Sequence, residues 1–166
     1  MGAFFDQKGD FMDHIGIVGA RKYKDRKSVE ALIASLPKDV VVVTSGCDGV
    51  CTWTWQKAED RDMDILIFKP DLTKVRARFE VPKIYYQRNR ELIQSCDFVH
   101  AFFSKEGGYT GGTRFEVEYA ARIGKPVKIH WENGKSEIIY QYRFPFDDAP
   151  DTHSNRWQNF FDTAVA

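Results

Sequence analysis

The sequence predicts a doubly wound α/β domain built on a mainly parallel, five-stranded sheet. Three observations predict it. Short apolar, β-branched runs alternate with longer segments whose apolar residues recur at helical spacing, the pattern of strand–helix units in a parallel sheet. One run, "DVVVVTSG" (39–46), is apolar without alternation, as a strand buried on both faces must be. Glycine-rich stretches stand at the strand ends, where such a sheet binds its ligands.

The elements follow in order. "HIGIVGA" (14–20) is a short apolar first strand ending at glycine. "DRKSVEALIASL" (25–36) places Val29, Leu32, Ile33 and Leu36 on one helical face, and Pro37 closes it. Residues 39–46 form the second strand. "CTWTWQKAEDR" (51–61) reads as helix, although its early Thr and Trp residues are poor helix formers, and its Trp53 and Trp55 are expected to pack on the sheet or on a partner subunit. "MDILIFKP" (63–70) is a third strand stopped by Pro70. Residues 71–82 read as a loop with basic character (Lys74, Arg76, Arg78). "KIYYQRNRELIQSC" (83–96) is a helix after Pro82, and "DFVHAFF" (97–103) a fourth strand. "GTRFEVEYAARIG" (112–124) is a helix with Gly124 as its stop, and "KPVKIHW" (125–131) the fifth strand. "SEIIYQYRF" (136–144) alternates enough for an edge strand. "SNRWQNFFDTAVA" (154–166) reads as an amphipathic helix capped by Ser154. The expected organisation is therefore an N-terminal extension (1–13), one domain (14–131), and a C-terminal extension (132–166) packed on that domain.

Composition sets the class. The 166 residues suit one core, and 43% hydrophobic content with 14% aromatics fills it. Twenty-four basic residues balance 24 acidic ones, which argues against nucleic acid or an anionic membrane as partner. The longest apolar run is far short of the roughly 20 residues of a membrane span. The N-terminus has no basic, then apolar, leader pattern. Three cysteines without CxxC spacing and four scattered histidines predict reduced thiols and no metal site. A cytoplasmic protein without metal or cofactor is expected.

Chemistry is expected at the strand ends. "GARKY" (19–23) follows the first strand, "TSGCDGV" (44–50) the second and "EGGYTGGT" (106–113) the fourth. Glycines let backbone N–H groups approach a ligand, and a helix starting at Gly112 or Thr113 aims its free N–H groups at the same corner, which suits a phosphate. Arg21, beside Gly19 and Ala20, could fork onto phosphate oxygens. Glu116 falls in the first or second turn of that helix, where the helix dipole alone also accounts for a carboxylate. Arg88, on the helix before the fourth strand, reads from its residues as a surface cation, like the neighbouring Asn89 and Arg90. Tyr109 is a base-stacking candidate, ahead of Tyr85 and Tyr86. Cys47, ahead of a helix, could have a lowered thiol pKa, but no His or Asn partner is evident. Neither GxGxxG nor GxxxxGK[ST] occurs.

Four of these segments, in order, resemble the SLOG superfamily: "GIVGARKYKD", "VVTSGCDGVCTW", "YYQRNRELIQSCDFVHAFF" and "GGTRFEVEYAARIGKPV". That group includes the Lonely-Guy-type nucleoside-monophosphate phosphoribohydrolases, the DNA-processing protein Smf and molybdenum-cofactor carriers. The resemblance spans roughly residues 14–131 and implies a Rossmann-like fold, a homodimer, and a nucleotide or nucleoside-phosphate ligand at the C-terminal edge of the sheet. It implies cleavage or transfer at the N-glycosidic bond. Carried over by position, Arg88 and Glu116 are catalytic, Gly111, Gly112 and Thr113 bind phosphate, and Ser45 and Gly46, with Gly49 nearby, form the second-strand loop. The last helix also looks like that of nucleoside deoxyribosyltransferases, whose nucleophilic glutamate matches Glu116. The chain departs from the pattern where "GGYTGGT" lacks a proline and where Cys51 replaces an expected Asp. A non-catalytic nucleotide sensor or carrier would use the same loops. A DNA-associated protein is the less favoured reading, supported by the basic patch "KVRAR" (74–78).

Overall fold

The computed structural model describes residues 13–139, so the predicted helix over 154–166, the end of the edge strand and most of the N-terminal extension lie outside the described residues. Strands β1 (His14–Gly19), β2 (Val41–Ser45), β3 (Asp64–Phe68), β4 (Phe98–Phe103), β5 (Val127–Trp131) and β6 (Ser136–Ile139) alternate with helices α1 (Arg26–Ser35), α2 (Val50–Asp60), α3 (Val81–Gln94) and α4 (Gly111–Arg122) up to β5. They form one sheet of order β3-β2-β1-β4-β5-β6, six strands rather than five. The first five are parallel, and β6 adds antiparallel to β5, with Ile129 opposite Glu137. A turn at Gly134, with φ of 85°, makes that last hairpin.

Local chemistry accounts for the boundaries. Asp25 caps α1, its carboxylate accepting from the Ser28 amide at 3.2 Å. Pro82 lies in the first turn of α3, where a missing N–H costs nothing, so the helix starts at Val81 and not after the proline. The segment expected to be loop over 71–82 therefore contains a 3₁₀ turn, Arg78–Glu80, and the start of α3.

Two apolar layers sandwich the sheet. Ile15, Ile17, Val42 and Phe102 join Val29, Ile33 and Val50 from α1 and α2 on one face, with Trp53 packed against them. Val41, Val43, Val99 and Ile129 join Leu92, Ile93, Val117 and Ala120 from α3 and α4 on the other. All five β2 residues are buried, which explains its unbroken apolar run. The strand order reverses between β1 and β4, so a crevice opens beyond their carboxyl ends.

One polar pair interrupts this core. His100 Nδ1 lies 2.9 Å from His130 Nε2 across β4 and β5. Burial and then Lys128 lower His130 to about 4, and burial and then His130 hold His100 well below its ordinary value. Both therefore pack as neutral rings. An unfolded histidine titrates near 6.5, so between pH 6.5 and 4 the unfolded chain binds more protons at His130, and stability falls as pH drops through that window. The loss is expected to be on the order of 1–3 kcal/mol. Urea midpoints at pH 7 and 4.5 should show it, and His130→Phe, stacking on Phe102 as His130 does, should flatten the decline.

Candidate functional site

Three loops and two helices meet in that crevice and enclose a cleft of about 550 Å³. After β1 the chain turns at Gly19, where the Ala20 amide donates to the Phe102 carbonyl at 3.0 Å and ties the loop to β4. A Cβ on Gly19 would sit 2.6 Å from Val50 Cγ2, so glycine here allows α2 to start against the strand end. Ala20 and Arg21 then line the cleft.

After β2, Ser45 is buried and its hydroxyl contacts Cys51 Sγ at 3.1 Å while accepting from the Cys47 amide at 3.3 Å. These bonds fold the loop over the start of α2. Gly49 has φ of 81° and precedes α2, its carbonyl accepting from the Trp53 amide. Its place is structural, against the Arg21 backbone.

After β4, the Ser104 carbonyl accepts from the Gly108 amide at 2.9 Å and the Ser104 hydroxyl from the Gly107 amide at 2.8 Å. Gly108 and Gly111 take positive φ, 63° and 71°, which β-carbon-bearing residues adopt at a cost. Thr110 precedes α4 but does not cap it, because its hydroxyl donates back to the Gly107 carbonyl at 2.8 Å. The first-turn amides of α4, at Gly111, Gly112 and Thr113, are left for an anion in the cleft.

Glu116 lies one turn into α4. The residue is 8% exposed and lines the cleft, and its carboxyl has no hydrogen-bond partner among the described residues. Burial raises it to about 8, against the opposing pull of Arg88, with Cys47 adding to the rise. The side chain therefore carries a proton at neutral pH, a state suited to a general acid.

Arg88 faces inward from α3 and is 6% exposed, not a surface cation. Its Nε donates to Asn89 Oδ1 at 2.8 Å, its Nη1 to the Phe68 carbonyl at 3.4 Å, and its Nη2 to Cys47 Sγ at 3.6 Å. Its guanidinium also lies over the Tyr85 ring at 5.5 Å. Arg21 Nη2 approaches the same sulfur at 3.9 Å.

Gly19, Ala20, Arg21, Ser45, Arg88, Gly111, Gly112, Thr113 and Glu116 thus line one cleft. Three other candidates do not. Gly46 borders a neighbouring hollow of about 370 Å³ that also holds Arg21, Lys69 and Arg88. Gly49, half-buried, packs against the Arg21 backbone. Tyr109 turns away, its ring 4.9 Å from Phe103 and 6.3 Å from Trp131, where it joins the apolar layer under α4. Tyr85 and Tyr86 instead supply the aromatic wall of the cleft. In the sequence they stand behind Tyr109 as stacking candidates, because nothing local distinguishes a helix's cleft face from its core face. It also found no partner for Cys47; Arg21 and Arg88 lie 26 and 41 residues from it.

Among the described residues no group of three or more His, Cys, Asp or Glu side chains could hold a metal ion. No helix there is long and apolar enough to cross a membrane.

No protein-family model matches the chain, and no curated protein matches it. Among solved structures it is similar to the X-ray structure of DNA processing protein A (DprA) from Streptococcus pneumoniae, with a TM-score of 0.58 at 19% identity. The match covers 71% of this chain and 50% of that one, so the chain spans half the length of that relative. The likeness shows the fold, a Rossmann-like α/β domain, at an identity too low to carry activity across.

Proposed function

We propose that this Rossmann-like chain is a SLOG-type domain that binds a nucleoside monophosphate in the cleft and cleaves its N-glycosidic bond. The observation that carries the reading is the buried carboxyl of Glu116, without a hydrogen-bond partner among the described residues, one turn behind the uncapped amides of α4. The phosphate sits on the amides of Gly111–Thr113 and on Arg21, and the base stacks against Tyr85 or Tyr86. Glu116 donates its proton to the departing base nitrogen as the C1′–N bond breaks and its electron pair leaves with the base. The carboxylate so formed stands beside the oxocarbenium-like sugar, with Arg88 to balance its charge. Water then adds to C1′ and its proton returns to Glu116. Gln in place of Glu cannot run this cycle.

The test is incubation with a panel of ribo- and deoxyribonucleoside monophosphates and the matching nucleosides, with free base read by chromatography. Base release from the monophosphates is the expected result. A ligand that raises the melting temperature without base release would instead establish a sensor or carrier. At 100-fold over Kd such a ligand stabilises by about 2.7 kcal/mol.

A second reading has its own observation. Lys69, Lys74, Lys83 and Arg90 outnumber Asp71 and Glu91 around a neighbouring hollow of about 680 Å³, beside Tyr86 and Phe115. Cations interleaved with aromatics suit single-stranded nucleic acid, and the structural neighbour is a DNA-processing protein. Retention of oligonucleotides at 150 mM salt, lost in a Lys74→Glu/Lys83→Glu variant, would favour it. The homodimer implied by the resemblance belongs to the proposal too. Phe79, 73% exposed ahead of α3, is the apolar surface a second copy would cover, which sedimentation of Phe79→Ser tests.

A further inference from the structure

The mechanism above leaves Cys47 unused. Its thiol lines the cleft, half-buried, with the guanidinium groups of Arg88 and Arg21 at 3.6 and 3.9 Å. Two cations from separate elements, β1's loop and α3, converge on one sulfur. The cleft is a ligand site on independent grounds, since the buried and unpartnered carboxyl of Glu116 faces the same space. Among the described residues the sulfur is the group that the two guanidinium groups share.

We propose that Cys47 is a peroxide-sensitive modification site that closes the cleft when oxidised. The thiolate attacks one oxygen of a hydroperoxide. An S–O bond forms, the O–O bond breaks, and its electron pair leaves as hydroxide or alkoxide, which takes a proton from water. Sulfur loses two electrons and the peroxide gains them, giving a sulfenic acid. The added oxygen occupies the space between Arg21 and Arg88, which an incoming anion would otherwise enter. Thiol reductants reverse the step.

The same geometry makes the site selective. Ser45, then Arg88 and Arg21, lower the Cys47 thiol despite its partial burial. Burial pushes the thiols of Cys51 and Cys96 up, and both residues are buried, at 2% and 1% exposure. Reactivity follows thiolate character and access together, so one cysteine in three should respond.

The reactivity stands on its own, whereas the closing of the cleft rests on the nucleotide reading, and the experiment separates them. The reduced full-length chain is labelled with iodoacetamide between pH 5 and 9, and each cysteine is followed by peptide mass mapping. Cys47 should label about tenfold faster than N-acetylcysteine at pH 6.5, and Arg88→Met should shift its pH midpoint upward. Arg21 is exposed, so Arg21→Met gives a folded second variant with a smaller shift in the same direction. Hydrogen peroxide followed by dimedone should place one adduct on Cys47 and none in Cys47→Ser. Labelling of Cys47 with an ordinary thiol midpoint, or no faster than that of Cys51 and Cys96, would overturn the modification site. AMP should slow the labelling, and peroxide should abolish the thermal shift by AMP until dithiothreitol restores it. A reactive Cys47 whose oxidation leaves the AMP shift intact overturns the closing alone. A reactive Cys47 with no thermal shift by AMP or by any other monophosphate of the panel before oxidation overturns the nucleotide reading and leaves the modification site standing.

Discussion

Replacement of Glu116 by Gln is expected to lower base release by about 10²–10⁴-fold, the usual contribution of a positioned general acid. Gln keeps the shape of the side chain and its place one turn into α4, but has no proton to give. The same variant should be more stable than the parent at alkaline pH. Burial raises Glu116 to about 8 in the folded chain, whereas an unfolded glutamate titrates near 4.5. Between those values the folded state binds the extra proton, so stability falls as pH rises through the window. Below pH 4.5 the contribution is complete, and above 8 a buried carboxylate faces the cleft with Arg88 as its main compensation. Gln is neutral throughout. We therefore expect parent and variant to match at pH 5 and to differ by on the order of 2–4 kcal/mol at pH 9, in favour of the variant. Urea denaturation at the two pH values reads this directly. Parallel pH profiles would mean that Glu116 is already ionised in the folded chain, and the acid role would fail with them. Base release that survives the substitution would end that role by another route.

The second large effect concerns Gly19, which lines the cleft with backbone alone. Gly19→Ala would bring a Cβ to 2.6 Å from Val50 Cγ2, 2.7 Å from its Cβ and 2.8 Å from its Cγ1. Val50 is fully buried and begins α2. A rotamer change moves its γ-carbons but not its Cβ, so either the end of β1 or the start of α2 must shift. Overpacking of this kind costs about 1–3 kcal/mol, and a clash with the backbone-fixed Val50 Cβ, which no rotamer relieves, should lie at the upper end. The displaced backbone carries Ala20 and Arg21 on one side and the Cys47 loop on the other. AMP affinity should therefore fall along with the melting temperature. Val50→Ala in the same chain should rescue only part of the loss, because the Val50 Cβ remains. Full rescue would show that the γ-carbons alone obstruct, and that the loop can hold its position around a larger residue.

Several features were readable because they are local. The unbroken β2 run, the 3.6-residue pattern of α1, the capping Asp25 and the glycines of the β4–α4 loop each follow from neighbours a few residues apart. Their spacing sufficed to predict a parallel sheet and an anion corner at the start of α4. The sixth strand was readable only in part: alternation over 136–144 marked an edge strand, but its antiparallel pairing depends on the Gly134 turn and on β5 offering a free edge. Tyr109 illustrates the opposite failure. A tyrosine in a glycine-rich loop suggests stacking on a ligand, yet Phe103 and Trp131 give its ring an apolar surface to cover, and burial there decides its direction.

By itself, then, the sequence determined the order of elements, the doubly wound sheet and the strand ends at which chemistry belongs, since periodicity and backbone preference are short-range. Tertiary structure alone decided the charge state and company of each side chain. Arg88 is inward, Glu116 is buried beside it and Cys47 lies within reach of two guanidinium groups only because segments 26 to 41 residues apart meet at one cleft. Desolvation and Coulomb interaction depend on distances through space, and those exist only once the sheet has brought the loops together.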